Sequence, residues 1–409
     1  MQPTSADPHT PSRPVFKFCT PAGRALCRQI ISQRAGYDPH DYQLDGVTRA
    51  LDGADLLAVT PTGSGKTGFL TMFLLVMHTV TADPSLCSSA LPSHFRPNAT
   101  MIVTCPTLAL QDGMAAKFTL CGLRPLVINA TTLDHALREE LPRKLWREVP
   151  DHDVLIVTPE QLISKGFETL LQDMAYQSRV AAMGVDEVHL LTTWGTSFRT
   201  KFLEIGSTRM RFRLHNPPLI IALTATLLAG EELRLIRASL GLVDNHKFYL
   251  LRRSNARHDL RIVLRIMSSP VLSSRYPELD WVLTENCNIL IFCRTFKVSH
   301  RVHSYLTSKL ASSSASSVDQ VRSYNGLNWD SYNTATYNLL QSQPPGTTNH
   351  TVTVATDRLS IGVDLHSVDH VVLFECDLPK DISSVKQQEG RARDGRGRNS
   401  CVIVYLPRN

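Results

Sequence analysis

The sequence lacks the features that are typical of membrane-spanning, secreted and zinc-binding proteins. It contains no run of about 18 apolar residues, the length that a membrane-spanning helix needs. Residues 1–14 are rich in Pro, Ser and Thr and carry no secretory hydrophobic stretch, so we expect a disordered tail there. The nine cysteines include no C-x-x-C pair, and several lie in apolar runs. These absences argue against a structural zinc site and favour reduced thiols in a reducing compartment.

The chain also has little excess of either charge. Lys and Arg number 43 against 37 Asp and Glu, for a formal net charge of +6. This balance permits a nucleic-acid partner but does not demand one, and a slightly basic enzyme with a solvated surface is the alternative. With 409 residues, the chain is too long for one ordinary core, so two domains are expected.

Short β-branched runs alternate with helical segments in both halves of the chain. Because buried parallel strands read as continuous apolar runs, the pattern predicts α/β domains, each a mostly parallel sheet with helices on both faces. We predict a first domain at 15–245 and a second at 246–409. The predicted strands are 56–60, 101–105, 125–129, 153–158, 181–186 and 219–224 in the first half, and 260–266, 288–293, 320–324, 352–356, 370–374 and 401–405 in the second.

The segment TPTGSGKT (60–67) follows a predicted strand and opens a predicted helix, which is the context of a phosphate-binding P-loop. Glycines let backbone N–H groups approach phosphate oxygens, while Lys66 is expected to reach the β- and γ-phosphates and Thr67 to bind Mg²⁺. A chance glycine-rich turn is the alternative. The predicted nucleotide contacts of the loop are Thr62, Gly63, Ser64, Gly65, Lys66 and Thr67.

A second chemical segment, DEVH, begins where another predicted strand ends. Ligands of open α/β sheets bind at such strand ends. We therefore expect Asp186 to hold Mg²⁺ and Glu187 to orient and activate an attacking water. The alternative is a solvated acidic pair at the start of a helix.

Together with LTAT (223–226), these segments resemble motifs I, II and III of superfamily 2 helicases. Other segments resemble motifs Ia, Ib, IV, V and VI in the family's order: TCPTLALQ (104–111), TPEQL (158–162), ILIFCRT (289–295), VATDRLSIGVD (354–364) and QQEGRARDG (387–395). The resemblance covers nearly the whole chain after residue 36. It implies two tandem RecA-like domains with ATP and Mg²⁺ in the cleft between them. It also implies that His189 links the nucleotide to Thr224 and Thr226, although a plain capping histidine is an alternative.

The segment DEVHLLTTWGTSFR (186–199) is similar to the aromatic-rich loop of RecQ-type DNA helicases. There Trp194 and Phe198 would stack bases and Arg199 would contact phosphate or stack as a cation. The alternative is that the two aromatic residues, four apart, pack a helix onto the core. Gln43 precedes Lys66 by 23 residues, where RecQ-like proteins place the glutamine that recognises adenine. An ordinary surface glutamine is the alternative there. SYNGL (323–327) also resembles a RecQ segment.

The segment that resembles motif VI departs from the family pattern Q-x-x-G-R-x-x-R. Gln387 and Arg391 fit, but Asp394 stands where the last arginine is expected and Arg393 comes one residue early. On a helix, a shift of one residue turns a side chain by about 100°. Loss of an arginine that stabilises the transferring phosphoryl group can cost about 10³-fold in rate. The residues predicted to act in hydrolysis are Lys66, Asp186, Glu187, Gln387, Arg391 and Arg393.

The family resemblance implies an ATP-dependent DNA helicase that moves 3′ to 5′ on single-stranded DNA. Contacts to DNA, single-stranded or forked, would go mainly to the phosphate backbone, and a nuclear location would follow from that partner. A hydrolysis-deficient nucleic-acid clamp derived from a helicase core is the alternative. An RNA enzyme of the DEAD-box kind is a third reading, which the position of Trp194 disfavours. The sequence is expected to lack the zinc-binding and winged-helix segments of RecQ proteins, because it ends soon after the last predicted strand and has no Cys cluster.

Overall fold

The computed structural model describes residues 14–138, 142–193, 205–242, 247–257, 260–312, 320–342, 350–356, 359, 365, 368–376, 382–392 and 400–408. The chain forms two compact units. The first comprises the described residues of Met1–Val59, Gly65–Thr224 and Leu228–Arg252. The second comprises those of Thr60–Ser64, Ala225–Leu227 and Arg253–Asn409. The predicted disordered tail lies, except for Pro14, outside the described residues.

A seven-stranded, fully parallel sheet forms the centre of the first unit. Its strands are β1 (Asp55–Val59), β2 (Thr100–Thr104), β3 (Pro125–Ile128), β4 (Val154–Val157), β5 (Val180–Val185), β6 (Leu219–Thr224) and β7 (Phe248–Arg252). Their order across the sheet is β3-β4-β2-β5-β6-β1-β7. Every residue of β1, β2, β4, β5 and β6 is buried, which explains why these strands read as unbroken apolar runs.

Helices flank this sheet. They are α1 (Pro21–Ala35), α2 (Asp41–Leu51), α3 (Gly68–Ala82), α4 (Leu108–Leu120), α5 (Ala130–Arg138), α6 (Pro142–Glu148), α7 (Lys165–Gln172), α8 (Met174–Arg179), α9 (Leu190–Thr193), α10 (205–210) and α11 (Glu231–Leu240). The core on one face joins the sheet to α1, α2, α3 and α4. Because α3 is apolar almost all round, it lies buried within this core and so fixes the loop that precedes it.

The second unit contains a six-stranded sheet, again fully parallel. Its strands are β8 (Arg261–Ile266), β9 (Ile289–Cys293), β10 (Val321–Tyr324), β11 (Val352–Ala355), β12 (His370–Phe374) and β13 (Cys401–Leu406), in the order β10-β11-β9-β12-β13-β8. Its helices are α12 (Phe296–Ser312), α13 (Asp330–Ser342) and α14 (Ile382–Glu389). The core on one face includes α12, and the core on the other includes α13 and α14, so helices cover both faces.

The predicted fold class is confirmed, and every predicted strand is present within a residue or two of its expected bounds. The strand that the sequence analysis did not identify is β7. It lies at the sheet edge, and its short apolar run, residues 248–251, falls directly after the predicted domain boundary at 245. The predicted boundary at 245 precedes β7, whereas β7 pairs with β1 and therefore belongs to the first sheet. Along the part of the chain that the structure describes, no helix is long and apolar enough to cross a membrane.

Candidate nucleotide site

Strand order brings three separate sequence segments to one edge of the first sheet. β5, β6 and β1 are consecutive neighbours, and all are parallel. Their carboxyl ends therefore lie side by side, at the spacing of about 4.8 Å that neighbouring strands keep. β1 leads to the predicted P-loop, β5 leads to Asp186 and Glu187, and β6 ends at Thr224. The predicted phosphate, metal and coupling residues of this unit thus share one edge.

The loop between β1 and α3 has the backbone of a phosphate cradle. Gly63 and Gly65 adopt φ angles of 81° and 75°, in the left-handed region that favours glycine. Ser64 Oγ donates to Thr60 Oγ1 at 2.9 Å, which holds the loop closed on itself. Thr67 is the N-cap residue of α3. A glycine-rich loop that ends at a helix N-terminus presents backbone N–H groups and a positive dipole end to an anion.

Gln43 ties the start of α2 to this loop. Its Oε1 accepts from the His40 backbone N–H at 3.0 Å, and its Nε2 donates to Gly65 O at 3.1 Å. The residue is only 4% exposed, which rules out the alternative of an ordinary surface glutamine. Both ends of the amide predicted to recognise adenine are therefore engaged within the unit. The Tyr37 hydroxyl and Gln43 Nε2 would each lie 3.4 Å from a Cβ placed on Gly68, so both face that glycine.

Of the acidic pair after β5, Asp186 is buried and Glu187 is partly buried, and Asp186 interacts electrostatically with the P-loop lysine. Asp186 is 5% exposed, and its Oδ1 accepts from the Glu187 N–H at 3.0 Å. Burial, and then the charge of Glu187, raise the pKa of Asp186, whereas the Lys66 ammonium lowers it. Two carboxylates and one ammonium so close together form a site that a bound cation would stabilise further.

Glu187 has an unusual backbone. Its φ angle is 49°, a left-handed conformation that side-chain-bearing residues rarely adopt and that often marks functional sites. Its Oε2 is buried and accepts no hydrogen bond from any described residue, although His189 Nδ1 lies 3.3 Å away. A buried carboxylate oxygen with unused acceptor capacity suits the orientation of a water molecule.

His189 joins the acidic segment to β6. Its Nδ1 lies 2.9 Å from Thr224 Oγ1, and the residue is 4% exposed. Burial lowers the pKa of His189 to about 4, so the ring is neutral at physiological pH. The ring thus contacts Thr224 in the segment that resembles motif III, and its coupling role stays a prediction.

In the second unit, the segment that resembles motif VI begins in the last turn of α14. Arg391 is 6% exposed, and its backbone N–H donates to Gln388 O at 3.0 Å. A Cβ at Gly390 would lie 2.6 Å from the Cβ of Thr62, so a larger residue does not fit there. Thr226 groups with the same unit and is 5% exposed. Gln387 lies in the last turn of α14. Trp194, Phe198, Arg199, Arg393 and Asp394 lie outside the described residues.

One polar network was not identified from the sequence. Gln111 is fully buried, and its Nε2 donates to Cys105 O at 3.2 Å. Its Oε1 accepts from Asn129 Nδ2 at 2.8 Å, and Asn129 is itself 4% exposed. The network joins the TCPTLALQ segment after β2 to the end of β3. The sequence signal that could have indicated this network is Gln111 itself, a polar residue on the face of α4 that packs against the sheet.

The side chains present suit a nucleotide with Mg²⁺. The Thr67 hydroxyl and the Asp186 carboxylate are the hard oxygen ligands that Mg²⁺ prefers. Among the described residues, no group of three or more His, Cys, Asp or Glu side chains could hold a metal ion. Mg²⁺ commonly binds through one or two protein oxygens, with waters and substrate phosphates completing its shell.

Two family models match the chain in succession. The DEAD/DEAH box helicase model matches residues 40–233, and the helicase conserved C-terminal domain model matches residues 276–395. Among curated proteins, the RecQ-like DNA helicase blm-1 of Caenorhabditis elegans is 25% identical over 88% of this chain and 32% of its own length. The ATP-dependent DNA helicase RecQ of Haemophilus influenzae is 25% identical over 89% of this chain and 51% of its own. The chain thus spans about a third to a half of these relatives.

Solved helicase structures share the fold. The DUF1998 helicase MrfA bound to DNA and AMPPNP superposes with a TM-score of 0.69 at 16% identity, over 96% of this chain and 52% of that one. Mss116p bound to single-stranded RNA and AMP-PNP superposes with a TM-score of 0.65 at 16% identity, over 93% of this chain and 72% of that one. With both helicase family models matched and RecQ proteins as relatives along most of its length, the chain belongs to the superfamily 2 helicases and has a RecQ-like core.

Proposed function

We propose that the chain is the motor core of an ATP-dependent DNA helicase or translocase, which couples ATP hydrolysis to 3′–5′ movement on single-stranded DNA. The observation that carries the proposal is the meeting of Lys66, Asp186 and Glu187 at the carboxyl edge of β1 and β5, with Lys66 close enough to lower the pKa of Asp186. The curated relatives, which are named DNA helicases, support DNA as the track.

Each residue of the first unit has a distinct part in hydrolysis. The P-loop backbone and Lys66 would bind the β- and γ-phosphates. Thr67 and Asp186 would hold Mg²⁺, which when bound neutralises charge on the phosphates. Glu187 would orient the attacking water and accept its proton, because its buried Oε2 has acceptor capacity left and its left-handed backbone fixes the direction of the side chain.

The contact between His189 and Thr224 supplies a route from the chemistry to the fold. His189 Nδ1 lies within 3.3 Å of Glu187 Oε2 and 2.9 Å of Thr224 Oγ1. A neutral imidazole can exchange one hydrogen-bond partner for the other without a change of charge. A rearrangement of Glu187 during hydrolysis would thereby alter the end of β6 and the segment that runs on to Thr226.

The remaining predicted roles are part of the same proposal. Gln387, Arg391 and Arg393 would act on the transferring phosphoryl group. Trp194, Phe198 and Arg199 would contact DNA and make hydrolysis responsive to it. A nuclear location is proposed only because of the DNA partner.

The second candidate function is a nucleic-acid clamp without turnover, which Asp394 favours because it replaces the expected arginine. The test measures ATP turnover with single-stranded DNA, with single-stranded RNA and with neither. Turnover that DNA stimulates, and that Lys66→Ala and Glu187→Gln abolish, supports the motor. DNA binding without turnover supports the clamp, and stimulation by RNA alone refutes DNA as the track.

Direction of movement needs its own assay. Duplexes that carry a single-stranded tail at only the 3′ end or only the 5′ end are compared as substrates for ATP-dependent strand displacement. Displacement of the substrate with the 3′ tail alone is expected for 3′–5′ movement. Preference for the 5′ tail would refute the proposed direction and leave the motor standing.

A further inference from the structure

The loop that joins β10 to α13 presents two large apolar side chains to solvent. Leu327 is 80% exposed and Trp329 is 84% exposed. Trp329 directly precedes α13 and lies outside every segment that resembles a helicase motif. Adjacent exposed apolar side chains of this size commonly mark a binding surface.

Hydrogen bonds hold this loop in one conformation. Asn328 Nδ2 donates to Ser323 O at 3.0 Å and to Ser323 Oγ at 3.1 Å. Asn333, which is 5% exposed, donates from Nδ2 to Asn325 O at 2.9 Å. The Leu327 N–H donates to Asn325 Oδ1 at 2.9 Å. The loop is thus tied to β10 on one side and to α13 on the other, so the backbone that carries Trp329 is ordered before any partner arrives.

The position of the loop in the fold points to the chemistry of its partner. β10, β11 and β9 are consecutive parallel strands, so their carboxyl ends lie at one edge of the second sheet. At that edge β9 is followed by exposed residues that include Arg294, Phe296 and Lys297. Two strand spacings put the ends of β9 and β10 about 10 Å apart. Cations interleaved with exposed aromatic side chains are the usual composition of a surface for single-stranded nucleic acid.

We propose that Trp329 is a stacking platform for one unpaired base of single-stranded DNA, with Leu327 beside it and Arg294 and Lys297 near the phosphates. The inference rests on the proposed function and adds to it a base contact in the second unit. An indole face accepts any base, so the contact gives affinity without sequence preference. The positive charge of Arg294 and Lys297 favours this polyanionic occupant over a protein surface with few acidic side chains.

The experiment measures binding of fluorescein-labelled oligothymidylate of roughly 15 nucleotides, a length that spans a typical single-strand site. Wild type and Trp329→Ala are each titrated with this oligonucleotide and with one that has the same backbone but abasic sugars. We expect Trp329→Ala to weaken binding to oligothymidylate about 5- to 100-fold, the range measured for loss of one stacked base. Binding to the abasic oligonucleotide should be the same in both proteins, because its phosphates remain and no base is there to stack.

Further variants separate stacking from simple apolar contact and from misfolding. Trp329→Phe keeps an aromatic face and should retain most of the affinity, whereas Trp329→Leu keeps apolar bulk and should not. Met210→Ala serves as the matched control, since Met210 is also 84% exposed but lies in the first unit. Quenching of tryptophan fluorescence on DNA binding should be larger in wild type than in Trp329→Phe.

The possible outcomes separate this inference from the proposed function. If wild type binds DNA and hydrolyses ATP in response, but Trp329→Ala binds oligothymidylate equally well, the stacking inference is overturned and the motor stands. The inference is also overturned if Trp329→Ala weakens binding of both oligonucleotides equally, because the effect is then on the phosphates or the fold. If wild type neither binds DNA nor responds to it, the proposed function fails and the inference fails with it.

Discussion

His189 should stay neutral well into the acid range, and the magnitude follows from its burial. The side chain lies between the acidic segment and β6, and burial lowers its pKa from 6.5 to about 4, with Asp186 acting against the shift and Lys66 adding to it. Protonation would bring a charge into a site where the imidazole is 4% exposed. The nearby carboxylates do not offset the loss of hydration, so the ring is expected to act as a neutral hydrogen-bonding group.

The direction in which pH changes the free energy of unfolding depends on whether the folded or the unfolded chain binds more protons at His189. Between pH 6.5 and about pH 4 the unfolded chain protonates this histidine and the folded chain does not. The unfolded state therefore binds more protons, and the free energy of unfolding falls as the pH is lowered through this interval. Since one pKa unit corresponds to about 1.4 kcal/mol, the whole interval between the two pKa values is worth about 3 kcal/mol.

The perturbation is His189→Asn, which keeps a hydrogen-bonding side chain and removes the titration. Histidine labelled with ¹³C is titrated by NMR, and the signal absent from the variant identifies His189. We expect a midpoint near pH 4 and, in urea unfolding, a variant that loses about 3 kcal/mol less than wild type across the same interval. A midpoint at or above 6.5 would refute the reasoning and make the contact with Glu187 Oε2, at 3.3 Å, an ion pair.

Three other substitutions test separate parts of the first unit. Glu187→Gln should reduce DNA-stimulated ATP turnover by about 10²- to 10⁴-fold with nucleotide binding retained, and unchanged turnover in a steady-state assay would remove its role as base. Gln43→Ala should cost about 1–3 kcal/mol in urea unfolding because it removes two hydrogen bonds, each worth about 0.5–1.5 kcal/mol, and should also raise the KM for ATP, whereas exposed Gln29→Ala should do neither. Asp55→Ala should cost about 3–5 kcal/mol in the same unfolding assay, since Arg209 lies 2.7 Å from Asp55 Oδ2 with both side chains largely buried; a cost below about 1 kcal/mol would contradict this.

The fold was predictable because the strands are buried on both faces. In β5 and β6 every residue is buried, so each appears in the sequence as an unbroken apolar run with clear ends. β7 was not predicted although residues 248–251 form an apolar run, because the run is short and lies directly after the predicted domain boundary. Its assignment to the first sheet follows from its pairing with β1, and this pairing is a property of the sheet that the sequence of residues 248–252 does not show.

The grouping of the site residues was also predictable, but not their contacts. Lys66 and Asp186 are far apart in the chain, yet both follow strands of a parallel sheet, and such strands end at one edge. No periodicity or motif indicates that Glu187 takes a left-handed backbone, because that conformation depends on how β5 meets its neighbours. The pairing of Gln111 with Asn129 likewise depends on where two helices and two strands meet.

Gln43 shows what this difference means for mechanism. The resemblance assigns its amide to adenine, whereas the structure commits that amide to the His40 N–H and to Gly65 O. These two contacts involve both the carbonyl oxygen and the nitrogen of the amide. Adenine can therefore be recognised only by a side chain that is already holding the P-loop backbone at Gly65. Base recognition and phosphate binding would then be mechanically linked through Gln43, and this is why its loss should raise the KM for ATP even though no phosphate contact is removed.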